Sequence, residues 1–347
     1  MVAGGGPAGA IAALTLAQAG RSVLLVDDVQ PKCRKVGESL PGVVRPLLRS
    51  LGLLALVENG PHLPCYGNLS AWGTDELIMA DSIHDPHGAG WHLDRPRFDA
   101  DLREAAQAAG AVWQCDRMQK IVPIDSGWQV YLKDSEVRTH WLIDATGRGA
   151  KFARSQGAVR ERDHSLVAVC TWCSAPDNDT DTRTYTESIA DGWFYTARLP
   201  DKTRVVVLHV NAEDAASICR VPEVFGMYVA RSLHIRHLLA ELALEDTLYL
   251  VEACGARLNR FAGNNWLATG DAALSFDPIS SQGIFNALYT GMKAGQAVRD
   301  ALTGRPEAIK AYVNQLEGIR AAYSRHCRSV YQLEQRWLHR SFWARRA

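Results

Sequence analysis

Gly4, Gly6 and Gly9 stand at G-x-G-x-x-G spacing within Gly4-Gly5-Gly6-Pro7-Ala8-Gly9. Each has a physical role, with a tight turn at Gly4, close approach of backbone to a pyrophosphate at Gly6, and close helix-on-strand packing at Gly9. Pro7 and Ala8 open a helical pattern that runs to Gly20, and an apolar run over residues 23–26 then ends on Asp27. Free N–H groups and the dipole at the start of such a helix favour phosphate, and an acid closing the second strand can hold the ribose hydroxyls. Strand, helix, strand and acid in register predict a dinucleotide site. Only three residues precede Gly4, where a first strand normally has about five or six. The expectation is therefore a short central strand or a truncated start.

Two later stretches carry polar groups at the ends of apolar runs. One is Asp144-Ala145-Thr146-Gly147-Arg148; the other is Gly270-Asp271-Ala272-Ala273, followed by Asp277-Pro278 and Ser281-Gln282-Gly283. Pro278 and Gly283 bracket a turn that lets backbone come close to a ligand. The one C-x-x-C, Cys170 to Cys173, lies in a β-rich run. Residues three apart on a strand face opposite ways, so it predicts neither a dithiol nor a metal site.

The elements that must position these groups alternate along the chain. Residues 41–56 read as a helix, 67–79 and 90–93 as extended, and 95–109 as a helix closed by Gly110. Residues 128–132 and 137–143 alternate like a hairpin leading to Asp144. Strands dominate 166–210, residues 222–244 read as helical with Pro222 in the first turn, and 247–254 and 266–269 read as strands. Helical segments fill the chain from Gly283 onward. No repeat or low-complexity linker appears, so the β-rich pieces are insertions and not a separate bead.

Composition narrows the class. The chain has 347 residues, 47% hydrophobic and 22% charged, with 38 basic against 38 acidic side chains. That balance supports a sizeable core in one large or two interleaved domains and gives no global field for nucleic acid or anionic lipid. No run reaches the roughly 20 apolar residues of a membrane span, and the start lacks the basic leader of a signal peptide. Eight cysteines without framework spacing point to reduced thiols and the cytoplasm.

The three motifs in this order resemble the FAD-dependent aromatic hydroxylase and halogenase superfamily, with a fold like that of para-hydroxybenzoate hydroxylase. The resemblance covers nearly the whole chain. It implies an α/β fold: a Rossmann-type FAD-binding domain (residues 1–65, 94–160 and 255–300), an inserted β-sheet substrate-binding domain (66–93 and 161–254) and a C-terminal helical segment (301–347). It further implies that Gly4, Gly6, Pro7, Ala8, Gly9 and Asp27 hold the adenosine and pyrophosphate half, and that Asp271, after Gly270, holds the ribityl chain. Asp144 and Gly147 close a strand against the cofactor, and Arg95, in an R-x-x-F with Phe98, belongs to the same site. A helix starting near Gly283 aims unpaired N–H groups at the pyrimidine edge of the flavin, with Pro278, Ser281 and Gln282 in the preceding loop.

Val36-Gly37-Glu38-Ser39-Leu40-Pro41 resembles the strap of the halogenase-like branch, where Glu38 and Ser39 touch the flavin or cap the next helix. Flavin halogenases use a lysine shortly after that strap, and residues 36–119 contain none. Their W-x-W-x-I-P signature is also missing; residues 192–200 read GWFYTARLP. VGESLP, the SAWG at 70–73, DGWFY before LP, DPISSQG, and the terminal Glu334-x-Arg336-Trp337 and Phe342-Trp343-x-Arg345-Arg346 are similar instead to flavoprotein maturases. These serve enzymes with peptidyl tryptophan-derived quinone cofactors such as cysteine tryptophylquinone.

The resemblance thus implies hydroxylation of a tryptophan in a partner polypeptide, with O2 and with electrons from NAD(P)H or from a partner flavin reductase. His92 and Asp277 are the candidate proton handlers, and Trp72, Trp91, Trp193 and Tyr195 the candidate aromatic slot. The tail over 320–347 has seven arginines against Glu334 alone, which suggests a docking face in Arg336, Arg340, Arg345 and Arg346. Other readings stand beside this one: a hydroxylase of a small aromatic or polyketide metabolite, a halogenase, an isoprenoid reductase, or a non-catalytic flavin-binding protein.

Overall fold

The computed structural model describes residues 1–28, 34–176 and 178–346. A six-stranded sheet runs in the order Ala262–Gly263, Trp266–Ala268, Leu142–Asp144, Val2–Ala3, Leu24–Asp27, Val112–Cys115. All its pairs are parallel except the first. The central strand has two residues, yet both are fully buried and paired on either side, Val2 with Ile143 and with Leu25. Gly4 extends the ladder by donating its N–H to the Val26 carbonyl at 2.7 Å.

The helix Pro7–Gln18 follows, and ten of its residues are buried, because it lies between this sheet and the helix Gly283–Ala301. Small residues allow that approach. A Cβ on Gly291 would stand 2.3 Å from the Ala8 carbonyl oxygen, and one on Gly295 would stand 2.8 Å from Thr15 Cβ.

A seven-stranded sheet runs in the order Tyr249–Glu252, Val167–Ser174, Thr203–Val210, Gly192–Arg198, Thr184–Ile189, Gly67–Ala71, Ile78–Asp81. Strand alternation divides its faces. Ala168, Cys170, Trp193, Val205 and Val207 join the main core, whereas Val169, Cys173, Phe194, Val206 and Leu208 pack against helices Ala212–Arg220 and Pro222–Arg231. Cys170 and Cys173 therefore face opposite ways, as their spacing requires.

Four expectations about elements change. Residues 41–56 do not form one helix: a 3-10 turn Gly42–Val44 and helix Arg45–Ser50 stop before Gly52, at φ +72°, and Leu54–Glu58 starts anew. The hairpin Gly127–Tyr131 with Glu136–Thr139 ends before Leu142–Asp144, which belongs to the parallel sheet. Residues 67–79 are not extended throughout but form Gly67–Ala71 and the start of a separate strand, Ile78–Asp81; Ala212–Arg220 is a helix in a stretch for which the sequence reading carried no expectation. Residues 222–244 form two short helices, Pro222–Arg231 and Ile235–Leu238. The C-terminal helices are Gly283–Ala301, Glu307–Gln332 and Ser341–Ala344. Among the described residues no helix is long and apolar enough to cross a membrane.

Candidate active site

A cavity of about 330 Å³ opens where the glycine loop, the strap and the Pro278–Gly283 loop meet the main-core face of the seven-stranded sheet. Of the residues expected to hold cofactor, Gly6, Pro7, Ala8, Glu38, Ser39, Arg95, Gly147, Asp271, Pro278, Ser281 and Gly283 line it.

The others do not line it. Gly4, at φ +104°, and Gly9 allow close packing: a Cβ on Gly4 would sit 2.2 Å from the Ala145 carbonyl oxygen, and one on Gly9 1.8 Å from that of Gly4. Gly270 packs against Ala8 in the same way. Asp27 lies beside Gly5. Asp144 is fully buried and accepts from Thr146 N–H, Thr146 Oγ1 and Ala153 N–H, so it shapes the turn that presents Gly147. Gln282 occupies the N-cap position of helix Gly283–Ala301, exposed and with no side-chain capping bond.

The arrangement fits a dinucleotide. A Cβ on Gly6 would meet nothing within 4 Å, so the loop leaves open the space that a pyrophosphate needs, and helix Pro7–Gln18 points its unpaired N–H groups there. Gly283 likewise faces open space at the start of a 19-residue helix. Ser281 adopts φ +52° after the 3-10 turn Pro278–Ser280, a conformation rare for a non-glycine residue. Arg148 joins two of the motifs. Its Nη1 and Nη2 donate to the Cys254 and Phe276 carbonyls at 2.7 and 2.8 Å, and its Nε lies 3.4 Å from Asp271. Burial raises the Asp271 carboxyl above its ordinary range, and the Arg148 charge opposes that rise. Arg95 fastens the strap by donating to the Gly37 carbonyl at 2.6 Å, and Asp99 holds it from below.

The two expected proton handlers part company. His92 does not line the cavity: it is fully buried, its Nδ1 donates to the Arg198 carbonyl at 2.9 Å, and burial lowers its pKa to about 4. Asp277 does line the cavity. Burial pushes its carboxyl up, but hydrogen bonds from His164 (3.2 Å), the Ile279 N–H (3.0 Å) and Tyr331 (2.8 Å) outweigh burial and hold it below its ordinary value. It is a fully partnered anion.

The aromatic slot also divides. Trp193 and Tyr195 line the cavity. Trp72 does not; it packs edge-on against Trp193, Tyr331 and Trp343 and donates to the Val330 carbonyl. Trp91 is buried elsewhere beneath Arg45. Both serve core packing.

The sequence reading missed His209, which stacks on Trp193 at 3.5 Å and whose pKa burial lowers to about 3. The only trace of it is a polar residue within the otherwise apolar run over residues 205–210. It also missed the acidity of Glu38, which is 2% exposed and raised to about 7, chiefly by burial.

The arginine tail is folded back on the body. Arg336 pairs with Glu334 and Asp75, Arg340 with Asp191 and Arg345 with Glu213. Arg346 is buried, bonded to Asn211, Phe342 and Ser165. Arg346 is thus no docking residue, because its guanidinium is spent on tying down the C-terminus.

Parallel sheet, glycine loop and sheet-roofed cavity define the frame of a dinucleotide-binding protein. Residues 74–346 match the family model described as tryptophan halogenase, and the chain belongs to that family of FAD-dependent oxidoreductases. It is 30% identical, over all of its length and 96% of the relative's, to LodB of Marinomonas mediterranea, whose name makes it an FAD-dependent oxidoreductase. Among solved structures it superposes on the flavin-dependent halogenase CmlS with a TM-score of 0.89 at 23% identity, covering 99% of this chain and 66% of that one. It superposes on the peptidyl tryptophan dihydroxylase QhpG, essential for tryptophylquinone cofactor biogenesis, with a TM-score of 0.83 at 27% identity, covering 99% and 77%.

Proposed function

We propose that this chain is an FAD-dependent monooxygenase that hydroxylates a tryptophan side chain of a partner polypeptide during biogenesis of a quinone cofactor of the cysteine tryptophylquinone type. The observation that carries this reading is the cation content of the cavity wall. Its lysine and arginine residues among the described positions are Arg95 and Arg148 alone, and both are committed, one to the strap and Asp99, the other to backbone carbonyls and Asp271. The lysine by which flavin halogenases carry or position the halogenating species has no counterpart there. Lys35, just before the strap, pairs with Asp99 at 2.8 Å. The identity to QhpG, 27% against 23% to the halogenase CmlS over the same 99% of the chain, supports the same choice.

FAD, once bound and reduced, supplies the activation of O2. The protein's part is to hold and enclose. Gly6 and the N-terminus of helix Pro7–Gln18 take the phosphates, Asp271 takes the ribityl hydroxyls, and Gly283 offers backbone N–H groups to the edge where reduced flavin carries negative charge. The sheet face with Trp193, Tyr195 and His209 roofs the substrate ring and keeps water out.

The test supplies the FAD-loaded protein with reduced flavin, O2, chloride and bromide, and a tryptophan-containing partner polypeptide. Mass spectrometry is expected to find added oxygen on the tryptophan. Halogen incorporation overturns the reading, and equal turnover of free tryptophan replaces the polypeptide by a small aromatic.

A further inference from the structure

A second groove, of about 850 Å³, adjoins the cavity and shares Arg148 and Glu252 with it. Arg148, Lys151, Arg154, Arg160 and Arg162 line it, against Glu252 as the one acid in its wall among the described residues. Local structure aligns these cations. Lys151 and Arg154 stand three apart on helix Lys151–Ser155 and so share a face. Arg160 and Arg162 stand two apart on strand Arg160–Arg162 and point the same way, while Glu161 between them turns to Arg257 at 2.9 Å.

The charges do not balance. Arg160 Nη1 and Arg162 Nε both donate to a single oxygen, Glu252 Oε1, at 2.7 Å. Lys151 and Arg154 are exposed and have no carboxylate within ion-pair distance among the described residues. In the tail, by contrast, Arg336, Arg340 and Arg345 each have one. A phosphate cradle is built chiefly from backbone N–H groups. Here the N–H of Lys151 is already taken by Thr146 Oγ1 at 2.8 Å, and that of Ala153 by Asp144 Oδ2 at 2.7 Å. What remains is side-chain charge on flexible stems, spread over a helix and a strand, with Val159, 56% exposed, in the same wall. Carboxylates interspersed with apolar side chains match that surface better than a compact anion does.

We propose that this groove docks an acidic stretch of the partner polypeptide, beside the tryptophan that enters the cavity. This rests on the polypeptide-substrate reading above and adds where the rest of the partner lies. Arg148 and Glu252 belong to both walls, so a segment held in the groove reaches the cavity directly.

The probes are short synthetic peptides with one central tryptophan, flanked in one by glutamates and in the other by lysines, titrated by calorimetry into the FAD-loaded protein. At low salt the glutamate peptide is expected to bind at least ~10-fold more tightly, and the gap should narrow as salt screens the groove. It should persist when serine replaces the tryptophan, because the groove contacts do not need a filled cavity. Lys151→Glu with Arg154→Glu should close the gap and leave the melting temperature and FAD affinity unchanged, since both side chains are exposed and neither lines the cavity. Equal binding of the two peptides by the wild type overturns the proposal, as does binding of neither, or a gap that survives the double reversal. NADP+ probes another occupant. If it binds, and the double reversal weakens it ~10-fold while the peptides show no gap, the groove holds the phosphates of an electron donor instead. Should the double reversal not fold, Lys151→Gln with Arg154→Gln takes its place and should narrow the gap. Oxygen added to tryptophan peptides without any charge preference would sink the docking proposal and leave the hydroxylase reading standing. Halogenated product with the preference retained would do the reverse.

Discussion

At the scale of single residues, the glycine loop separates packing from binding. Gly6 has φ near −73° and open space where a side chain would go, whereas Gly4 and Gly9 face backbone at 2.2 and 1.8 Å. Gly6→Val should therefore fold with an unchanged melting temperature in the absence of flavin and bind FAD at least ~10-fold more weakly. Gly9→Val should lose stability first. Equal FAD affinity of Gly6→Val and wild type would remove the pyrophosphate from that loop. Asp271→Ala should likewise lose the yellow chromophore on purification, and undiminished affinity would end the assignment of the ribityl contact.

Glu38 gives a pH signature whose sign follows from its surroundings. Burial raises its carboxyl from 4.5 to about 7, while Arg95 pulls it down and Asp201 adds a little upward push. The folded state thus holds a proton that the unfolded chain releases. Its contribution is complete below the unfolded value and is lost as pH rises through the folded one. Glu38→Gln has no such loss. Its stability should match that of wild type near about pH 5 and exceed it near about pH 8, by on the order of 3 kcal/mol at most, read from urea unfolding at both values. A difference that does not grow with pH would place Glu38 in contact with water.

The placement of the glycines and of Asp271 around the cavity was legible in the sequence because it is local, set by a turn or by the end of a strand. His209 was not, since its meaning comes from Trp193 on the neighbouring strand, and that register is a product of folding. His92 misled for the converse reason: it sits beside a motif in the chain and behind the wall in space.

Among elements, the C-terminal segment shows how pattern and placement part. Its arginines and tryptophans read as a docking face, yet Trp343 is 1% exposed, donates to the Ile189 carbonyl at 3.0 Å, and packs against Trp72, Tyr331 and Phe342. Helix Ser341–Ala344 is thus a plug on the end of the seven-stranded sheet. Trp343→Ala should cost about 3–5 kcal/mol, the usual range for emptying a large aromatic site, seen as a lower urea midpoint. Arg340→Glu breaks only an exposed pair with Asp191 and should leave the urea midpoint close to that of wild type. Reversed ranking of the two would return the tail to the role of a mobile docking arm. Sequence periodicity could not separate the two roles, because an arginine that faces a distant aspartate looks the same in the chain as one that faces water. The broken helix over 42–58 is a milder case: its apolar spacing is helical throughout, and Gly52 alone interrupts it.

For the whole molecule, the decisive fact is how the two sheets share their interior. Chains of more than ~250 residues commonly divide into domains that unfold separately. Here a single cluster of buried side chains runs from Val2, Leu25 and Ile143 of the parallel sheet, through Ile11 and Leu288 of the two central helices, to Ala168, Trp193 and Val207 of the other sheet. The second cluster lies on the outer face of that other sheet, against the helices over 212–238, and has no strand of the parallel sheet in it. The cavity sits inside the shared interior, lined from both sides. FAD bound in that cavity would be held by the same packing that joins the sheets, and it should stabilise both together. We expect one unfolding transition, coincident by far-ultraviolet circular dichroism and by tryptophan fluorescence, shifting upward as one with added FAD. At a free concentration of about 100 times its dissociation constant, the ligand adds about 2.7 kcal/mol, and Asp271→Ala should lose most of that gain. Two transitions, with FAD moving only one of them, would mean that the substrate-covering sheet folds on its own and that the cavity is an interface between independent domains.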